Sequence, residues 1–505
     1  MEIIKKDFGN IFRPAFPIDP PILSIFKECT PKILVVTDGS LSFSTSTFGL
    51  SDFVDTLKNS VIHGMTPIIK TAHRGSTAAD YTNFVFSSST LSINKYDVIF
   101  LFGYNWSGPL ASSEVDTIKT FMDAGGGVFA TGDHSTLGKQ LCGTIPRVQG
   151  MRRWDGPSGS SDQRLSTTDP GSNNAFEFAD QSDAIPQKIY PAYTGTPASS
   201  QPHYLLQHPT KIVIEVLPDH PHESECTIPS NLSDVSEWPK SPTGADVHPE
   251  IAALSVSYGG GFLSPTKQPI SVPRSFGAIC TYDGHIADVG RISTDATWHH
   301  FININLIASG SGPGLAADPY DRVSMYFENI ARWLMPKKVR RCLRWPLVFT
   351  AKKLYPVVEF IPELLEKPDD ISTLIEVGRE AKATLSPFVS RGQQQELIED
   401  LFELYSEKFS AQIKRIRQQP ADFEEALGQF ITPVEILEQA ALGALILTAA
   451  KAIPDDADVE ASLKKAGGIE GLDKQAEKLL ATAMGNMSKV LEKSRVHFDN
   501  VIKAM

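Results

Sequence analysis

Cysteine is scarce in this chain, with five in 505 residues: Cys29, Cys142, Cys226, Cys280 and Cys342. None falls in a C-x-x-C spacing. That excludes a zinc knuckle and a disulfide framework, and it points to a reducing compartment. Long apolar runs are equally scarce. The opening MEIIKKDFGNIFRPAF lacks the continuous apolar core of a secretion signal. No stretch reaches the roughly 18 apolar residues of a membrane span. ALGALILTAAKAI, from Ala441, comes nearest and reads as a buried helix. A cytoplasmic protein without a membrane span is expected. Positive charge is in deficit too. The formal net charge of −12 argues against broad binding to nucleic acid. Histidine is nearly missing from the carboxyl-terminal part: of 12, only His497 follows residue 301. Any acid–base or metal chemistry is therefore expected in the first part.

What is present suffices for a sizeable core: 41% of residues are hydrophobic and 21% charged. From residue 32 to about 150, strand and helix patterns alternate. KILVVTDGS, MTPIIKTA, YDVIFLFGYN and GGVFATG read as strands; FGLSDFVDTLKNSVIHG and SSEVDTIKTFMDAGG read as helices. Such alternation predicts a parallel sheet with helices on both faces. Between about 151 and 272, Gly, Pro, Ser, Asp and Thr dominate, which reads as a long loop-rich insertion. SFGAICTYDG and GRISTDATWHHF then resume the α/β pattern. KKVRRCLRWPLVFTAKK carries seven basic residues and reads as a basic connector. The rest is helical in pattern. The expected organisation is an N-terminal extension (1–30), an α/β domain (31–335), a basic linker (336–359) and an α-helical domain (360–505).

In open α/β sheets, ligands bind beyond the carboxyl ends of the strands. Asp38, Asn105 and the pair Asp133–His134 fall at such ends. Two later groups, Asp283 with His285 and Asp295 with His299 and His300, are placed to reach the same crevice. Asp and His are the usual parts of proton-transfer pairs and of divalent metal sites. Asp133, His134 and His299 are therefore the candidate catalytic residues. Asp38, Asn105, Asp283, His285 and Asp295 are candidates for substrate binding, and a divalent metal is a candidate cofactor. His299 and His300 are adjacent; on a strand they face opposite sides, so one of them is expected in the site. A DH or DGH pair also arises simply because Asp and Gly make turns.

The order KILVVTDGS, YDVIFLFG, GGGVFATGDH, HPTKIVIEVLPDHPHE and GRISTDATWHH resembles the class I glutamine amidotransferase-like superfamily, closest to its ThuA-like (trehalose utilisation) branch. The resemblance covers residues 30 to 335. It implies a flavodoxin-like fold with a sharp strand-to-helix elbow after Ala130. Amidotransferases carry a nucleophilic cysteine at that elbow. Here the elbow reads Thr131-Gly132-Asp133-His134-Ser135 and the nearest cysteine is Cys142. A cysteinyl route is not expected, and G-D-H-S-T does not match the G-x-S-x-G serine elbow. Two readings follow. One is a hydrolase- or isomerase-type enzyme, or an enzyme-derived ligand sensor, acting on a polar small molecule such as a carbohydrate. The other is a non-catalytic scaffold. The amphipathic helical half, including Leu397, Ile398, Leu401 and the run Ala441 to Ala449, is expected to self-associate or to bind a protein partner.

Overall fold

A computed structural model describes residues 26–62, 64–105, 108–133, 136–154, 166–168, 175–177, 187–194, 200–218, 224–257, 274–307, 314–354, 370–405, 433–454 and 458–504. The chain divides into two compact units. The described residues of one fall within Thr30–Tyr193 and Pro202–Val339; those of the other fall within Arg340–Met505, Arg13–Cys29 and Thr194–Gln201.

The first unit is built on an eight-stranded sheet. Its strands are β1 (Lys32–Thr37), β2 (Ile68–His73), β3 (Val98–Phe102), β4 (Gly127–Thr131), β5 (Tyr190–Pro191), β6 (Glu250–Ser257), β7 (Arg274–Tyr282) and β8 (Ile292–Asp295), in the spatial order β2-β1-β3-β4-β8-β7-β6-β5. β2, β1, β3, β4 and β8 are parallel. Their order, with β8 as the fifth parallel strand, is the flavodoxin-like 2-1-3-4-5. β7, β6 and β5 extend the sheet in antiparallel fashion. The SFGAICTYDG and GRISTDATWHHF segments thus join the same sheet as the first four strands. Described parts of the insertion supply two strands of this sheet, β5 and β6.

β1, β3 and β4 are apolar along both faces because each face is covered. Leu34, Val36, Ile99, Leu101, Val128 and Ala130 pack with Phe121 and Met122 of α2 (Ser112–Asp123). Successive side chains on a strand point to opposite faces, so the alternate positions meet the other layer. There Phe53 of α1 (Ser51–Asn59) stands edge-on to Phe100 and Phe102, and to Phe301 and Phe327, at 5.1–5.4 Å between ring centres. Phe327 belongs to α3 (Ala317–Trp333).

The second unit is helical: α4 (Lys337–Leu354, of which Arg340 onward belongs here), α5 (Ile371–Leu385), α6 (Arg391–Tyr405), α7 (Pro433–Ala452), α8 (Val459–Lys465) and α9 (Gly468–Ala504). The backbones of α5 and α7 cross closely. A Cβ at Gly378 would run into the Gln439 carbonyl, and one at Gly443 into that of Leu374. The apolar run Ala440–Ala450 of α7 is buried within this unit. Among the described residues no helix is long and apolar enough to cross a membrane.

The basic connector from Lys337 to Leu354 is a helix, and three of its cations, Arg340, Arg344 and Lys352, are buried. Arg340 pairs with Glu396 at 2.8 Å, Arg344 with Asp473 at 2.6 Å, and Lys352 donates to the Ile453 carbonyl at 2.6 Å. Cysteine usage differs from the expectation: Cys29 and Cys342 form a disulfide, 313 positions apart in sequence. Closing so long a loop restricts the unfolded chain by an amount on the order of 5 kcal/mol. Spacing alone did not reveal the pair because a bridge depends on where Cα atoms meet in space.

Candidate functional site

Strand register sets the site. Thr37, Phe102, Thr131 and Asp295 stand side by side across β1, β3, β4 and β8. The residues just beyond this row, including Asp38 and Asp133, therefore share the carboxyl edge of the parallel strands. The turns that follow pack tightly. A Cβ on Gly103 would lie 2.5 Å from the Gly138 Cα, and Gly138 has φ +95°, a conformation that suits glycine.

Asp133 and His299 meet at this edge. His299 Nε2 is 3.2 Å from Asp133 Oδ2, across 166 positions of sequence. Both are buried, at 2% and 1% exposure. The STDATWHH sequence explains the local geometry. β8 ends at Asp295, and Thr297 caps a single 3-10 turn, Trp298–His300. The Thr297 hydroxyl accepts the His299 N–H at 3.1 Å and donates to Asp133 Oδ1 at 2.9 Å. The His299 ring stacks on Trp298 at 4.5 Å, and Asn305 donates to the His299 carbonyl at 3.0 Å.

A second carboxylate–imidazole pair lies beside the first. Asp295 Oδ1 is 2.8 Å from His300 Nδ1 and accepts the Thr297 N–H at 3.1 Å. Asp295 Oδ2 accepts from the Tyr326 hydroxyl at 2.7 Å. Burial, and then the Asp295 charge, push that phenol well above its usual pKa. The adjacent histidines thus both enter the network, each with its own carboxylate. On a strand only one would have done so; the 3-10 turn changes the angle between them.

A buried cation supports both pairs from below. The Arg152 guanidinium donates to the carbonyls of Asp133 (2.9 Å), Asp295 (3.2 Å), Ala296 (2.8 Å) and Arg153 (3.0 Å), and it stacks over Trp154 at 4.6 Å. Burial lowers its pKa, and the charges of Asp133 and Asp295 oppose that shift.

Asp38 lies where the strand order reverses, between β1 and β3, which is the switch point that favours ligand binding in such sheets. Its Oδ1 accepts the Tyr104 N–H at 2.6 Å, and its buried Oδ2 has no hydrogen-bond partner among the described residues. Burial raises its pKa to about 6, against the lowering effect of the Tyr104 N–H and the Arg74 charge. Asn105 is exposed beside it. Cys142 is buried, and burial holds its thiol far above the usual pKa. It supplies no thiolate to this edge.

Asp283 and His285 do not belong here. β7 runs antiparallel to β8, with Tyr282 opposite Ile292, the first residue of β8. The end of β7 therefore lies at the amino edge of the parallel strands. Asp283 pairs there with Arg291 at 2.8 Å, and Arg291 stacks over Trp333 at 4.7 Å. His285 sits in the buried 3-10 turn Gly284–Ala287. His134 and Ser135 lie outside the described residues, as do the glycines of YGGGF and the Asp219 to Glu223 group. Among the described residues no group of three or more His, Cys, Asp or Glu is placed to hold a metal ion.

Sequence reasoning missed Thr297, Arg152 and Tyr326. Thr297 carried a signal, since it stands two residues before His299 in a cap position. Arg152 carried none, because it opens a loop-rich stretch. No protein-family profile matches the chain, and no curated protein matches it significantly.

Proposed function

We propose that the α/β unit is an enzyme of hydrolase or isomerase type, acting on a polar small molecule at the carboxyl edge of its sheet, with His299 and Asp133 as the acid–base pair. The observation that carries this reading is the meeting of Asp133 and His299 at 3.2 Å, both ordered by one hydroxyl, Thr297. A carboxylate fixed on one ring nitrogen sets the imidazole's orientation and stabilises the imidazolium that forms when it takes a proton. Asp38 is suited to the substrate side. It stands at the switch point with an unshared carboxyl oxygen and a pKa near 6, so it offers either a donor or an acceptor near neutrality. Relationship to the class I amidotransferase-like superfamily, in its ThuA-like branch, is part of the proposal. Its supports are the 2-1-3-4-5 order of parallel strands and the turn that leaves β4 at Thr131.

The full chain, with His299→Ala and Asp133→Asn variants, is to be assayed against chromogenic esters, amides and glycosides and against aldose–ketose interconversion. The expected result is turnover by the unaltered protein that falls by about 100-fold or more in each variant, with the far-UV circular dichroism retained. Turnover that survives both substitutions overturns the assignment.

A second reading is a non-catalytic ligand-binding scaffold. The near-complete burial of Asp133 and His299 favours it. Saturable binding of a panel compound without turnover would select it. The case for self-association through the helical half is weaker than the sequence suggested, because the run Ala441 to Ala449 is buried inside its own unit.

A further inference from the structure

We propose that the Cys29–Cys342 bridge is a reversible thiol–disulfide switch that fastens the segment ending at Cys29 onto α4 of the helical unit. Both cysteines belong to that unit. Their Cα atoms are 5.9 Å apart, inside the range that a disulfide spans without backbone movement. The described part of the segment is Phe26, buried to 1% exposure, and the 3-10 turn Lys27–Cys29. The Phe26 ring meets Phe349 of α4 at 6.1 Å. A three-residue turn has too few hydrogen bonds to hold its own shape. Its place therefore depends on what anchors it, and the covalent bond is the strongest anchor described.

Exposure separates Cys29 from the other sulfurs. Cys142, Cys226 and Cys280 are buried at 0–3% exposure, and burial raises each thiol above its ordinary pKa. A buried, protonated thiol does not exchange. Cys29 is half-buried, so a thiolate from solvent can reach its sulfur while the three remaining thiols stay silent.

The exchange is a two-electron transfer. One thiolate of a dithiol reductant attacks Cys29 Sγ and forms a mixed disulfide. The Cys29–Cys342 bond breaks, and Cys342 leaves as a thiolate and takes a proton. The second thiol of the reductant then attacks its own sulfur in the mixed disulfide. Cys29 is released as a thiolate and protonated, and the reductant departs as a cyclic disulfide. A small-molecule disulfide such as oxidised glutathione restores the bridge by the reverse exchange. In the reduced state the Phe26–Phe349 ring contact holds the segment without the covalent bond, and the segment can then leave α4.

The test uses the full chain in dithiothreitol redox buffers of graded ratio, quenched with acid and then unfolded in guanidinium with maleimide, so that the buried thiols are counted as well. Mass spectrometry should show a single transition between three and five free thiols, with the two added labels on Cys29 and Cys342. Limited trypsin digestion should cut after the exposed Lys27 at least about fivefold faster in the reduced protein. The Cys29→Ser/Cys342→Ser double variant should be cut at the fast rate in both buffers. If that variant fails to fold, the wild-type redox titration and digestion decide alone. Five trapped thiols in every buffer, or equal cleavage after Lys27 in bridged and reduced protein, overturns the proposal.

Discussion

Thr297 Oγ1 donates to Asp133 Oδ1 at 2.9 Å, joining a turn after β8 to a turn after β4. The same hydroxyl accepts the His299 N–H. One oxygen thus orders both halves of the proposed acid–base pair. Thr297→Val keeps the shape and removes the donor, leaving the buried carboxylate one hydrogen bond short. The expected cost is about 1–3 kcal/mol of stability, while Thr297→Ser should recover most of it. Urea denaturation of the three proteins checks this. Equal midpoints would mean that the hydroxyl contributes nothing to the pair.

Asp38 makes stability depend on pH in a stated direction. Its folded pKa of about 6 lies above the ordinary 3.8 because burial disfavours the charge. Between those values the folded chain binds more protons at this group than the unfolded chain does. Stability from Asp38 is therefore greatest below about pH 4, falls as pH rises to about 6, and is level above that. Asp38→Asn removes the dependence. It should stabilise the protein at pH 7 by up to about 3 kcal/mol, with the gain vanishing near pH 4. Asp97, raised to about 6 chiefly by burial, contributes in the same window and remains in the variant. The difference between variant and wild type across pH isolates Asp38. A difference that does not change with pH refutes the assignment.

Gly378 sets two effects against each other. Gly→Ala inside a helix is favourable by about 1 kcal/mol on propensity alone. Here the new Cβ would meet the Gln439 carbonyl and the Gly443 backbone, neither of which can move without shifting α7. The clash should win, and Gly378→Ala should lower the melting temperature. A higher melting temperature would show that α5 and α7 lie further apart than described.

Tyr326→Phe removes the phenol that donates to the buried Asp295 Oδ2. The expected loss is about 1–3 kcal/mol. If activity is found, it should fall less than in His299→Ala, because Tyr326 acts through the neighbouring pair. A loss equal to that of His299→Ala would place Asp295 and His300 at the reacting centre instead.

Local pattern determined a good part of this protein. The apolar, β-rich runs, including those ending in Asp38 and Asp133, announced strands, and their alternation with helices announced a parallel sheet covered on both faces. The carboxyl ends of parallel strands lie on one edge, so Asp38, Asp133 and Asp295 were brought together by direction alone. Only the tertiary structure decided the rest. Hydrophobic period carries no strand direction, so nothing in SFGAICTYDG showed that β7 runs the other way and takes Asp283 and His285 to the opposite edge. EIAALSVS is a strand because β7 stands beside it, not because its surroundings look regular. Arg152 underlies both carboxylate–imidazole pairs, and Cys29 finds Cys342, through contacts between parts of the chain far apart in sequence. Such contacts depend on how the whole chain packs, and a local window holds no record of them.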